Sequence, residues 1–129
     1  MFVGLNPSTA DETLDDPTIR RCARFARDFG CGGLCMTNLF AFRATRPHDM
    51  MIEGDPIGPD NDRWLLECAK RATLIVAAWG VHGAFRGRGV AVRALLPRLR
   101  HLGLTQAGQP RHPVYVPAAS RPMAWEGAA

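Results

Sequence analysis

Short apolar runs that stop abruptly at a polar residue or a glycine constrain this chain most. Phe2-Val3 runs into Gly4-Leu5-Asn6-Pro7, the run from Gly33 to Phe40 encloses Asn38, and Thr73 to Trp79 ends in Trp79-Gly80. Each run has the length of a strand, and none is long enough to span a membrane. Between them lie stretches with helical spacing. Asp16 stands as an N-cap before Pro17, which suits a first helical position. Ile19, Cys22, Ala23, Phe25, Ala26 and Phe29 then recur on one face, and Gly30 stops the helix. A second helix is expected from Asp62 to Arg71, capped by Asp60 or Asn61, with Trp64, Leu65 and Cys68 inward. A third is expected from Val90 to Leu99, with Pro97 as a kink or an early stop. Gly103-Leu104-Thr105 starts a short fourth strand or a turn, and the tail after Ala118 reads as loose. This alternation predicts an α/β fold, a three-layer α/β/α arrangement with a mainly parallel sheet of about four strands.

A chain of 129 residues suffices for one domain with one core, so 1–129 is read as a single unit. In open parallel sheets ligands bind beyond the carboxyl ends of the strands. That rim is expected to gather Asn6, Asn38 and Trp79. The late loop Pro110-Arg111-His112-Pro113-Val114-Tyr115 can close over it. Gly4 permits close approach of backbone or ligand, and Pro7 ends strand pairing. Ser8, Thr9 and Asp11 follow, each able to cap or cradle. The plain alternative is an Asx or Ser/Thr turn with no chemistry. A buried Asn38 amide without partners costs ~1–3 kcal/mol, so it serves either a loop backbone or a ligand.

Charge divides the chain. Eleven acids and seven arginines lie in residues 1–67, whereas residues 68–125 hold nine bases and no acid. An acid-free half can present a continuous positive surface to phosphates, or its arginines can be dispersed over solvated faces and pair with acids of the first half. The arginines at 20, 21, 24 and 27 sit mostly on the outer face of the first helix, where two of them can reach an anion near its start. The Gly80–Gly89 stretch can wrap a phosphate through backbone N–H groups, but it lacks the spacing and lysine of a nucleotide P-loop. After Pro47 a long acidic, Pro/Gly-rich loop is expected to run to Asn61; its Asp55–Asp62 part is stiff and patterned, and a connection this long is usually functional. Cys22, Cys31, Cys35 and Cys68 have no zinc spacing and read as reduced structural thiols of a cytoplasmic protein. No motif asks for a metal or a cofactor, and no signal peptide opens the chain.

Several blocks resemble known families. Gly4-Leu-Asn-Pro-Ser-Thr-Ala-Asp11, Asp16-Pro-Thr-Ile-Arg-Arg21, Asn38-Leu-Phe-Ala-Phe-Arg-Ala-Thr45, Asp55-Pro-Ile-Gly-Pro-Asp-Asn-Asp62, Ala78-Trp-Gly80 and Pro110-Arg-His-Pro113 resemble the signature of an uncharacterised bacterial domain family that opens with G-L-N-P-S-T-A-D. More distantly, the layout resembles the uracil-DNA glycosylase superfamily. Gly4-Leu5-Asn6-Pro7-Ser8 is similar to its first motif, Asn38 to its base-reading asparagine, and Arg111-His112-Pro113 to its late histidine motif, with Val114 where a serine is usual. This resemblance implies a glycosylase-like domain that recognises a base in nucleic acid and hydrolyses its N-glycosidic bond, as in DNA repair. Asn6 and His112 are then the catalytic candidates, Asn6 orienting a water and His112 facing the base carbonyl, with Asp11 or Asp16 as a nearby carboxylate. Asn38, Trp79 and Tyr115 form the base pocket. Ser8, Arg43, Arg86, Arg88 and Arg111 take the nucleic-acid backbone.

The implied partner is DNA or a nucleotide, with no membrane involved. No base-stacking aromatic follows the first motif and no intercalating loop follows the histidine. Asn6 in place of an Asp argues for weak or absent hydrolysis. The alternative is therefore a non-catalytic nucleic-acid or nucleotide binding module. A phosphate-handling enzyme built on the Gly80–Gly89 loop is the weakest reading, for want of a lysine. Resembling domains carry residues before the first strand, so a missing N-terminal segment is also expected.

Overall fold

The computed structural model describes residues 1–7 and 16–125. Four strands pair in parallel: β1 (Phe2–Gly4), β2 (Met36–Asn38), β3 (Val76–Ala77) and β4 (Arg100–His101), in the order β2-β1-β3-β4. Phe2 lies opposite Met36 and Val76, and Val3 opposite Thr37 and Ala77. β1 is thus central, which is why Phe2 and Val3 are fully buried.

Alternate side chains leave opposite faces of the sheet. Phe2, Val76 and Ala78 pack with Cys22 and Phe25 of α1 (Pro17–Asp28) on one face. Val3, Ala77 and Trp79 share the other core with Leu65 and Ala69 of α3 (Asn61–Arg71) and Val92 of α4 (Arg88–Leu95). The result is the expected three-layer α/β/α architecture. The start of α1 is also as read: Asp16 Oδ1 accepts the Thr18 N–H at 2.8 Å, with Pro17 in the first turn. Gly30 follows the helix with φ +79°, in the left-handed region that glycine tolerates.

Several local expectations are corrected. Trp64 is 59% exposed, with the Arg63 guanidinium 5.9 Å from its ring centroid. The inward stripe of α3 is instead Leu65 and Ala69, four residues apart. A short helix, α2 (Pro47–Met51), interrupts the stretch read as loop and buries Met50. α4 starts at Arg88 and stops at Leu95, before Pro97, because proline disfavours helical geometry in the residue ahead of it. The fourth strand is Arg100–His101, and Leu104 makes only an isolated antiparallel bridge to Pro110. The described part of the tail is docked. Met123 bridges His101, and Trp125 stacks on Trp79 at 6.4 Å beneath the Arg93 guanidinium.

Arg88, expected to face a phosphate, is buried at 5% exposure. Its Nε donates to the Leu39 carbonyl at 2.8 Å, and its guanidinium stands 2.6 Å from Asp62 Oδ1 as an ion pair too poorly aligned to be a hydrogen bond. It fastens α4 to the end of β2 and the start of α3. Replacing it with Met leaves a carbonyl and a carboxylate without their cation. We expect a loss of ~2–3 kcal/mol in urea unfolding; no change in the midpoint would contradict this role.

No helix among the described residues is long and apolar enough to cross a membrane. The four cysteines are free, and no group of three or more candidate metal ligands occurs among the described residues.

Candidate functional site

A cleft of about 1020 Å³ opens at the carboxyl ends of β1, β2 and β3, on the side of the sheet covered by α1. Gly4 to Pro7 enter it from β1, Asn38 from β2, and Ala78 to Gly80 from β3. Asp16, Thr18, Ile19 and Cys22 line it from α1, and Arg111, His112 and Tyr115 from the late loop. Asn6, Asn38, Trp79, His112 and Tyr115 therefore meet in one place, although they come from four segments far apart in the chain.

Each side chain is held by local bonds. Asn6 Nδ2 donates to the carbonyls of Ala44 at 3.0 Å, Phe42 at 3.2 Å and Pro7 at 3.3 Å. Its N–H groups are spent on pinning the 42–44 loop, which leaves acceptor chemistry to its Oδ1. Asn38 is half-buried beside Gly4. A Cβ on Gly4 would stand 3.0 Å from Asn38 Oδ1, so only glycine leaves that amide its present place. The carbonyls of Asn38 and Leu39 accept from Asn61 Nδ2 at 2.9 and 2.8 Å, so part of the Asp55–Asp62 block serves to fix the end of β2.

Trp79 lines the cleft at the end of β3 but is 2% exposed, and its ring packs in the core on the face away from α1. Its Nε1 donates to Gln109 Oε1 at 2.8 Å. Gly83 packs so close to the indole that any Cβ there would collide with it, and a Cβ on Gly89 would stand 2.9 Å from the Gly83 carbonyl and 3.2 Å from the indole Nε1. The glycine-rich stretch is thus a seat for Trp79. Its first part, Val81–Gly87, forms tight 3-10 turns with a kink at Phe85 and Arg86, in place of the expected phosphate-wrapping loop.

His112 caps the 3-10 turn Pro113–Tyr115, its Nδ1 accepting the Val114 N–H at 3.2 Å. A ring nitrogen that accepts carries no proton, so neutral His112 bears its hydrogen on Nε2 as a donor. Burial pulls its pKa below the ordinary 6.5, and the negative charge of Asp16 pulls it back in part. His101, buried against Trp125, is lowered as well, mainly by burial. Both shifts give one sign. The unfolded chain takes up these protons first, so the stability tied to neutral imidazoles is complete above pH 6.5 and is lost as pH falls through the folded values. Thermal melts should be flat from about pH 7 to 8 and fall below about pH 6.5. An increase in stability on acidification through that window would contradict the assignment.

Tyr115 is 73% exposed and lies at the mouth, its ring 5.8 Å from that of His112. Arg111 lines the cleft and donates to the Tyr115 carbonyl at 2.6 Å, and Arg43 lines it from the segment after β2. The remaining backbone-binding candidates fall elsewhere. Arg86 lies over Phe85 with long 3.4 Å contacts to the carbonyls of Glu53 and Gly54, and does not line the cleft. Arg88 is consumed as described. Ser8 and Asp11 lie outside the described residues. Cys22 lines the floor, where burial pushes its thiol up to about 12, so it is no nucleophile at neutral pH.

Sequence reasoning missed Arg21, Gln109 and Trp125. The sequence places Arg21 with its neighbours mostly on the outer face, two of them within reach of an anion; the structure turns it onto backbone carbonyls instead. Its Nε donates to the Pro113 carbonyl at 3.3 Å and its NH2 to the Val116 carbonyl at 2.6 Å, while the guanidinium lies over Phe25. The available signal was its spacing: Arg21 precedes Phe25 by one helical turn and so shares its inward side.

Fold and cleft together define an α/β protein with a ligand-sized site at the carboxyl rim of a parallel sheet. The chain belongs to the family described as protein of unknown function (DUF1643), whose model matches residues 1–114, from β1 through the His112 loop. No curated protein and no solved structure matches the chain.

Proposed function

We propose that the cleft binds a nucleobase presented by nucleic acid and that the protein hydrolyses the N-glycosidic bond, in the manner of a uracil-DNA glycosylase. One observation carries this reading: Asn6, Asn38 and His112, from three distant segments, line the same cleft. Its volume lies at the upper end of the ~300–1,000 Å³ usual for ligand sites, which leaves room for a base and its sugar. Asn38 offers an amide that can donate to and accept from a base edge. His112 offers an Nε2–H donor to a carbonyl on which charge develops, the kind of contact that strengthens in a transition state. The buried Trp79 ring stiffens the end of β3, and the exposed Tyr115 ring stands at the mouth. Arg43 and Arg111 stand where flanking phosphates would run, and the acid-free second half extends the positive field. A base must leave the stack to enter such a cleft.

The second reading is a non-catalytic nucleic-acid or nucleotide binding module. The bonding of Asn6 favours it. An amide is too weak a base to take a proton from water, and here its nitrogen is committed to carbonyls.

Salt-dependent binding to single- and double-stranded DNA, followed by an assay for abasic sites, separates the two. Replacing Arg43 and Arg111 together with Ala should weaken binding about equally for all sequences and reduce the salt slope by about 2. Binding that is undetectable at low salt would end the glycosylase reading and any nucleic-acid module, leaving only a binder of free nucleotides. Binding without abasic sites would leave the module.

A further inference from the structure

We propose that Asp16 is the catalytic carboxylate of this site, taking the proton of the attacking water in a cleft it shares with His112 at a spacing that Arg21 fixes. The inference rests on the glycosylase reading and deepens it. Among the described residues Asp16 is the only carboxylate lining the cleft. It is also rigid. One oxygen accepts the Thr18 N–H at 2.8 Å, which holds the group at the head of α1. Arg21, five residues further on, donates to the carbonyls of Pro113, the first residue of the turn that His112 caps, and of Val116, just after that turn. Helix α1 therefore carries the carboxylate and clamps the histidine, so the two cannot drift apart independently. Asn6 is excluded as the base, since its amide is not basic and pins the 42–44 loop. Besides His112, the other titratable or charged side chains lining the cleft among the described residues are Cys22, Arg43, His82, Arg111 and Tyr115, none of them a carboxylate.

The step balances as follows. The glycosidic bond breaks with its electron pair leaving on the base nitrogen, and the His112 Nε2–H hydrogen-bonds the base carbonyl that shares this charge. The sugar carbon, now electron-poor, sits near the Asp16 carboxylate and is stabilised by it. A water oxygen forms the new bond to that carbon. Its proton passes to Asp16 and on to the departed base, so one water is divided between sugar and base.

The experiment uses the full chain and two variants. Asn caps a helix as well as Asp, so Asp16→Asn keeps the start of α1. Removing the charge that raises the His112 pKa must lower the midpoint of the His112 imidazole in an NMR titration. Arg21→Gln frees the turn, exposes the ring and must raise that midpoint toward 6.5. Opposite movements are not the mark of general damage. In parallel, base release is measured on oligonucleotides each carrying one uracil, hypoxanthine or xanthine. Asp16→Asn should slow release by at least about 100-fold, with DNA binding retained. An unmoved midpoint in Asp16→Asn, or release at the parent rate, overturns the role of Asp16 and leaves the glycosylase reading standing. If the parent protein releases no base from any probe, the glycosylase reading falls and the role of Asp16 falls with it, whatever the titration shows.

Discussion

Replacing Trp79 with Ala is expected to cost about 3–5 kcal/mol of stability, close to the whole margin of many domains this size. The indole is a core side chain beneath the end of β3, whose residues line the cleft. It fills the space against Gly83 and Gly89, bonds Gln109 through Nε1 and stacks on Trp125. Ala would leave a cavity that the glycines cannot fill, together with a Gln109 side chain deprived of its donor. Trp79→Phe keeps most of the volume and loses the hydrogen bond, so it should cost only about 1–2 kcal/mol beyond any packing change. Urea denaturation reads both. If the two variants unfold at the same midpoint as the parent, Trp79 is not the organising residue of this half of the molecule.

Replacing His112 with Ala is expected to slow base release by about 10²–10³-fold, the usual cost of deleting one donor to a developing negative charge. DNA affinity should change by less than about tenfold, because the interaction is realised chiefly as the bond breaks. His112→Gln returns a donor of similar reach and should recover part of the loss. The parent rate itself should be highest where His112 is neutral and decline as pH drops through its lowered pKa. Equal losses in binding and release would instead make His112 a general contributor to affinity.

The backbone of this account was legible in the sequence because it depends on periodicity. The strand runs, the Asp16-Pro17 start, the Gly30 stop and the parallel alternation follow from local patterns that the tertiary structure does not override. The meeting of Asn6 and Asn38 followed from topology, since parallel strands deliver their carboxyl ends to one rim; His112 was added by the late loop that can close over that rim and by the glycosylase resemblance. What escaped was decided by facing. Trp64 and Leu65 are adjacent on one helix, and pattern alone did not settle which turns inward. Arg88 looks like any other base of the acid-free half, yet it is buried because Asp62 and the Leu39 carbonyl are there to receive it. Trp125 sits in a segment whose composition reads as loose, and only the partners Trp79, His101 and Arg93 make it ordered. The glycines of the 80–89 stretch suggested a phosphate loop, and the same absence of Cβ instead admits the Trp79 ring.

The central claim is that the cleft at the β1, β2 and β3 ends recognises a nucleobase. It is tested most directly by NMR, following the side-chain amides of Asn6 and Asn38, the Trp79 indole N–H and the His112 ring while free bases and nucleosides are added. The account predicts that at least one base shifts these four signals together in a saturable way, and that His112→Ala weakens the effect. Saturable shifts confined to another surface, or no shifts at millimolar base (about −4 kcal/mol of binding), would contradict it.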